Sequence, residues 1–178
     1  MKNSSKKTKL NVRTVTLIGI MVALSVVLNF IKVYELPQGG SITLGSMVPT
    51  IFISIVLGVP YGILTGFLFG LLNLILAVNP VLLNPVQILL DYFLAFALLG
   101  VGGLFKHNRI LAVTVSVFCR FVCSVLSGVI FFSEYANGQN PLIYSIVYNG
   151  SYLLPELIIT AAIIYFLPID RIKKLIYK

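Results

Sequence analysis

Pro85-Val-Gln-Ile-Leu-Leu-Asp91-Tyr-Phe-Leu-Ala-Phe-Ala-Leu-Leu-Gly-Val-Gly-Gly-Leu-Phe105 is an apolar run with a single carboxylate inside it. About 20 apolar residues suffice to cross the hydrocarbon core of a bilayer as a helix. A charge at the centre of such a helix costs roughly 2.5–3.5 kcal/mol. A residue kept there is expected to face a cavity or a partner rather than lipid.

Working outward, the same signature recurs. Arg120 lies within an apolar segment at about 109–132, and Glu156 within one at about 142–167, which ends at Pro168. Further apolar segments lie at about 12–32, 44–57 and 61–78, the last two separated by Gly58-Val59-Pro60. The fourth, about 85–105, follows Asn79-Pro80 and Asn84-Pro85. The second segment is short and is expected to be tilted, partial or extended by its loop. The fold class is therefore all-α: an integral membrane bundle of six transmembrane helices. It would hold a tail at 1–10, a membrane domain at 11–168 and a tail at 169–178.

Composition agrees. The chain has 178 residues, 58% hydrophobic and 10% charged, against about 25% charged in soluble domains. The first apolar segment is full-length and no small-residue cleavage site follows it, so no cleavable signal is expected. No internal repeat of the kind that builds inverted-repeat transporters is evident.

A net charge of +8 could suggest nucleic acid, but its distribution argues against that. The cations cluster before the first span (Lys2, Lys6, Lys7, Lys9, Arg13), in one short loop (Lys106, Arg109) and after the last span (Arg171, Lys173, Lys174, Lys178). Six spans place all three clusters on one side, as the positive-inside rule requires, with both termini cytoplasmic. The cations read as topology signals and lipid-headgroup contacts.

Two segments on the opposite side are too elaborate for plain connectors. Residues 33–45 contain Gly39-Gly40, suited to a tight turn, followed by Ser41-Ile42-Thr43, suited to a short strand. Residues 133–141 form the second. Both could cover an outward-facing pocket.

Helical spacing aligns polar side chains on three spans. Gln87 and Asp91 are four apart; Arg120, Ser124, Ser127 and Gly128 share a face; Ser145, Asn149, Tyr152 and Glu156 share another. From the helical rise, Asp91, Ser124 and Asn149 fall in one layer of the outer half, with Arg120 and Glu156 deeper. Matched depth pairs Arg120 with Glu156 as a structural ion pair and leaves Asp91 as the ligand carboxylate. Tyrosines and phenylalanines cluster toward the same outer face, as an interface belt or an aromatic cage would.

Other chemistry is disfavoured. No GxxxxGK[ST] loop occurs, and the only histidine, His107, lies in the inner loop, so neither P-loop hydrolysis nor a buried Ser–His pair nor HExxH metal chemistry is available. Cys119 and Cys123 lie on one helical face, a poor geometry for a mutual disulfide. No enzyme activity, cofactor or metal is expected.

Glu35-Leu-Pro-Gln-Gly-Gly-Ser-Ile-Thr-Leu-Gly-Ser46, Asn84-Pro-Val-Gln-Ile-Leu-Leu-Asp-Tyr92, Ser127-Gly-Val-Ile-Phe-Phe-Ser-Glu-Tyr-Ala136 and Tyr144-Ser-Ile-Val-Tyr-Asn-Gly-Ser-Tyr-Leu-Leu-Pro-Glu156 together resemble the thiamine-specific S component of energy-coupling factor transporters. The resemblance spans about residues 10–168. It implies a substrate-binding subunit without ATPase activity, which docks on a transmembrane coupling subunit carrying two ABC-type ATPases and delivers a vitamin from outside. It places the family's binding acid at Asp91, followed by Tyr92, a basic position at Arg120, a glycine at Gly128, and a tyrosine and an asparagine at Tyr144 and Asn149. It matches Gly19 and Ala23 to the small-residue docking face of the first helix. Three positions depart: the family's histidine is Ser124 here, its stacking tryptophan is Phe132, and its aromatic before the fourth helix is Val81. The chain has no tryptophan, so Tyr34 would replace one in the first loop. A thiamine precursor or another small heteroaromatic vitamin is the alternative ligand. An autonomous membrane facilitator or pore, or a non-transporting assembly protein, is the alternative from a different class.

Overall fold

The computed structural model describes residues 11–76 and 84–176. The chain order is α1 (Val12–Phe30), a hairpin of β1 (Lys32–Glu35) and β2 (Ser41–Thr43), α2 (Val48–Leu57), α3 (Val59–Leu76), α4 (Pro85–Phe105), α5 (Arg109–Phe131), a 3₁₀ turn (Ser133–Ala136), α6 (Pro141–Phe166) and α7 (Ile169–Ile176). Five of these helices, α1 and α3 to α6, are long and apolar enough to cross a membrane. Their outward faces carry apolar side chains, as at Val27 and Ile158, while buried Ser, Thr and Asn residues lie between helices. Lipid, not water, suits that exterior.

Local sequence sets the boundaries. Asn11, Asn84, Asn108 and Asn140 each cap the helix that follows, accepting a backbone N–H with the side-chain oxygen. Pro85 and Pro141 follow two of these caps near the helix start, where a missing N–H removes no helical bond. Gly58, at φ 104°, ends α2 and lets the chain reverse directly into α3.

The short second segment is a ten-residue helix, every residue of which is buried. At about 1.5 Å per residue it covers about half of the hydrocarbon thickness. The remaining depth is filled by the loop before it, where Thr43, Ser46 and Met47 are buried. The expected span at 44–57 is thus partial and extended by its loop. It sits at the centre, packed on α1, α3, α4, α5 and α6.

The fourth helix is not regular. After one α turn, Leu89–Leu94 form a π segment in which the Ala95 N–H bonds to the Leu90 carbonyl, five residues back. A single α turn follows, and Leu98–Phe105 then tighten into a 3₁₀ helix. Ser116 on α5 ties the 3₁₀ stretch in place: its hydroxyl donates to the Leu99 carbonyl (2.7 Å) and accepts the Gly102 N–H (3.1 Å).

The residues after Pro168, expected as a tail, contain an additional helix. In α7, Ile169 is buried and Ile172 and Ile176 pack on the core. Arg109, at the start of α5, bonds the Leu167 carbonyl and pairs with Asp170. Arg13, Leu17, Leu175 and Ile176 line one groove, so the start of α1 and the end of α7 share one end of the bundle. The hairpin occupies the other end.

Candidate functional site

A cavity of about 480 Å³ opens at the hairpin end. Three walls come from the polar stripes of α4, α5 and α6, and the hairpin covers part of it. The hairpin closes tightly on itself: the Leu36 N–H bonds the Gly40 carbonyl (2.7 Å) and the Gly39 N–H bonds the Leu36 carbonyl (3.0 Å), with Gly39 at φ 90°. Lys32 and Glu35 pair across its exposed edge at 2.6 Å.

On α4 the π segment carries Asp91 and Tyr92, both lining the cavity. A π turn inserts a residue and rotates the side chains relative to an α-helix, a device common at functional sites. Asp91 Oδ2 accepts the Ser127 hydroxyl at 2.6 Å. One turn deeper Phe96 lies under Arg120, whose guanidinium carbon is 4.3 Å from the ring centroid.

On α5, Arg120, Ser124 and Gly128 of the stripe line the cavity, as does Phe132 just beyond the helix end, whereas Ser127 does not line it and instead bonds Asp91. Gly128 is needed for close approach: a Cβ there would meet Ser145 Oγ at 2.2 Å. Phe132 packs on Tyr135 of the 3₁₀ turn, with ring centroids 5.9 Å apart.

On α6, Tyr144, Tyr148 and Tyr152 form a ladder, their neighbouring centroids 6.1 and 5.9 Å apart. Asn149 lies beside them, but its amide is engaged by the protein. Nδ2 donates to the Ser145 carbonyl (2.9 Å), with the Ser145 hydroxyl (3.2 Å) and Ser124 carbonyl (3.3 Å) also in reach, and Oδ1 accepts the Tyr152 hydroxyl (2.8 Å).

Two expectations are corrected. Arg120 and Glu156 do not pair: among the described residues the ion pairs are Lys32–Glu35 and Arg109–Asp170. Glu156 Oε1 instead accepts both the backbone N–H and the hydroxyl of Thr43. Equal depth on two helices says nothing about azimuth, and Glu156 is turned toward the hairpin. Arg120 Nε and Glu156 Oε2 are buried at the cavity with no hydrogen-bond partner among the described residues. Tyr34 is the second correction. It is 61% exposed and does not line the cavity. β1 is exposed along its whole length and has an irregularity between Lys32 and Tyr34, and it is Lys32 and Glu35 that border the cavity rim.

Gly19 and Ala23 lie away from the cavity on the exposed face of α1, and a Cβ at Gly19 would meet nothing within 4 Å. Internal packing therefore does not explain these small residues. Val81 falls outside the described residues. Cys119 and Cys123 are free thiols.

The structure adds lining residues that the stripes do not reveal. Asn29 on α1 donates to Asn73 on α3 at 2.6 Å, and both face the cavity. Two asparagines near the ends of apolar spans were the available signal. Phe96 could have been found as the aromatic one helical turn beyond Tyr92.

The fold has known counterparts. Residues 15–176 match the family model described as thiamine transporter protein. The thiamine transporter ThiT of Bacillus subtilis (strain 168) is 36% identical, over 84% of this chain and 87% of that protein. ThiT of Lacticaseibacillus paracasei is 28% identical, over 56% of this chain and 59% of its own. The solved structure of ThiT from Listeria monocytogenes superposes with a TM-score of 0.76 at 26% identity, covering 92% of this chain and 96% of that one. These relatives are named as transporters, not enzymes. With a matching family model over nearly its whole length and a multi-span apolar bundle, this chain belongs to the thiamine transporter protein family, multi-pass proteins of the bacterial plasma membrane.

Proposed function

We propose that this chain is the substrate-capturing S component of an energy-coupling factor importer and that its ligand is thiamine. The observation that carries the reading is the cavity itself. Three acids, Glu35, Asp91 and Glu156, and two bases, Lys32 and Arg120, line it, with aromatic rings beside them; Lys32 and Glu35 pair with each other at the exposed rim, which leaves Asp91, Glu156 and Arg120 inside. That excess of acid favours a ligand with a positive charge, and thiamine carries two planar heteroaromatic rings, one of them a permanently cationic thiazolium. Asp91, held by Ser127, serves as the anchor. Phe132 and Tyr144 supply stacking surface, Tyr92 and Ser124 polar contacts, and Gly128 lets α6 approach closely enough to wall the cavity. Asn149 acts by holding the Ser124–Tyr152 wall in shape.

In this reading both termini are cytoplasmic, the hairpin faces outward, and the open face of α1 around Gly19 and Ala23 docks on a transmembrane coupling subunit that carries two ABC-type ATPases. The positive-inside pattern and the exposure of those two small residues support it.

Calorimetry with purified protein tests the ligand. Thiamine should bind, and Asp91→Asn should weaken it by about an order of magnitude or more, the equivalent of a hydrogen bond to a charged group. Unchanged affinity in Asp91→Asn would remove Asp91 as the anchor. Preference for a heteroaromatic precursor over thiamine would reassign the ligand.

A further inference from the structure

We propose that Glu156 is a positioning residue that latches the hairpin across the cavity, and that this latch governs how long the ligand stays bound. The proposal rests on the reading above for the identity of the ligand, not for the latch.

Glu156 is 3% exposed and Thr43 2%. Their contact joins residues 113 apart in sequence, at the foot of β2, where the chain enters the loop leading to α2. Oε1 accepts the Thr43 backbone N–H and its hydroxyl, the latter at 2.6 Å. Thr43 Oγ1 in turn accepts the Ser46 N–H at 3.1 Å. A buried backbone N–H without a partner is costly, so an acceptor is required at this point.

The hairpin tip is tied to the same helix. The Gly40 N–H donates to the Tyr148 hydroxyl at 3.0 Å. A Cβ at Gly40 would lie 2.7 Å from the Tyr152 ring, so the backbone lies flat on that side chain. Tyr148, Tyr152 and Glu156 are successive turns of one face of α6. The hairpin is therefore fastened at tip and foot to one helix face, and the cavity lies beneath. Opening it for ligand exit requires breaking the foot contact, the tip contact or both.

The two carboxylate oxygens have separate surroundings. Oε1 is used on Thr43, whereas Oε2 has no partner among the described residues. The latch needs only one acceptor oxygen, which the amide of glutamine also supplies. Negative charge is not required for it. That distinction separates a latch from a direct electrostatic contact with the ligand.

The test compares Glu156→Gln, Glu156→Ala and Thr43→Val in the full chain, with two measurements. Hydrogen exchange at residues 41–43, without ligand, reads the latch directly. Dissociation and association rates of thiamine read its consequence. Glu156→Ala, which removes both bonds, should speed exchange and dissociation by about tenfold or more, and Thr43→Val, which keeps the backbone N–H bond, by a smaller factor, with association nearly unchanged. In ligand-free exchange Glu156→Gln should stay close to the parent protein, whatever the loss of its charge does to thiamine affinity. The double variant Glu156→Ala/Thr43→Val should be little worse than Glu156→Ala alone, because the two residues act as one contact. The latch is overturned if Glu156→Ala exchanges like the parent, or if Glu156→Gln speeds exchange as much as Glu156→Ala. Because exchange is read without ligand, failure of the parent protein to bind thiamine would strike the ligand assignment alone, and the exchange result would still decide the latch.

Discussion

Gly70 of α3 lies directly against the carbonyl oxygen of Tyr92 on the π segment of α4. A Cβ at position 70 would stand 1.9 Å from that oxygen. Gly66, one turn earlier, has the same relation to the Phe96 carbonyl at 2.1 Å. The backbone bearing Asp91 and Tyr92 is therefore seated on a glycine face of α3, and its position depends on the absence of side chains there.

Gly70→Ala should displace the π segment and with it Asp91. Overpacking of this kind typically costs about 1–3 kcal/mol. We expect a lower thermal midpoint and a loss of thiamine affinity larger than the stability loss alone explains. Melting curves with and without thiamine check this, because the ligand-induced shift should shrink along with the midpoint.

Ser127→Ala should weaken ligand binding without touching the ligand. Its hydroxyl fixes Asp91 Oδ2, and the loss of one hydrogen bond to a charged group costs about 1.5–3 kcal/mol. Part of that cost would be recovered by water in the cavity, so a drop of up to about tenfold in affinity is expected from calorimetry. Ser127→Thr, which keeps the hydroxyl, should retain more of the affinity.

Phe132→Trp should tighten thiamine binding. Phe132 lies at the cavity, and the indole offers a larger stacking face. A good aromatic stack contributes about 0.5–1.5 kcal/mol beyond burial, so affinity should rise roughly two- to tenfold. The same substitution adds the chain's first tryptophan, and quenching of its fluorescence by thiamine would report binding directly.

Gly19→Leu and Ala23→Leu should leave thiamine binding intact, because both positions face away from the cavity and Gly19 has open space around it. Uptake into liposomes holding the coupling subunit and ATPases should fall steeply. Uptake that persists without those subunits would instead identify an autonomous facilitator.

Much of the architecture was readable along the chain. Asp91, Arg120 and Glu156 in apolar runs marked the helices that face a cavity, and the spacing of Ser145, Asn149, Tyr152 and Glu156 identified the buried face of α6. Gly39-Gly40 before Ser41-Ile42-Thr43 announced the hairpin. The π turn under Asp91 was not readable, because neither residue type nor spacing distinguishes Leu89–Leu94 from an ordinary apolar helix. Nor was α7, whose eight residues carry three lysines and arginines and read as a solvated basic tail. Its apolar face becomes evident only against the bundle it covers.

Hydropathy and helical period depend on residues within a few turns of one another, so the sequence alone determined that this is a membrane bundle, where its spans lie and which side of each is polar. The partners of the buried charges depend on azimuth, on loop path and on contacts between residues far apart in the chain. Only the tertiary structure decided that Glu156 bonds Thr43 rather than Arg120, that Asp91 rests on Ser127, and that Tyr34 stands outside the cavity. A carboxylate in an apolar interior takes whichever donor the fold brings within reach, and here a hairpin folded back over the bundle brought a backbone N–H and a hydroxyl to it first.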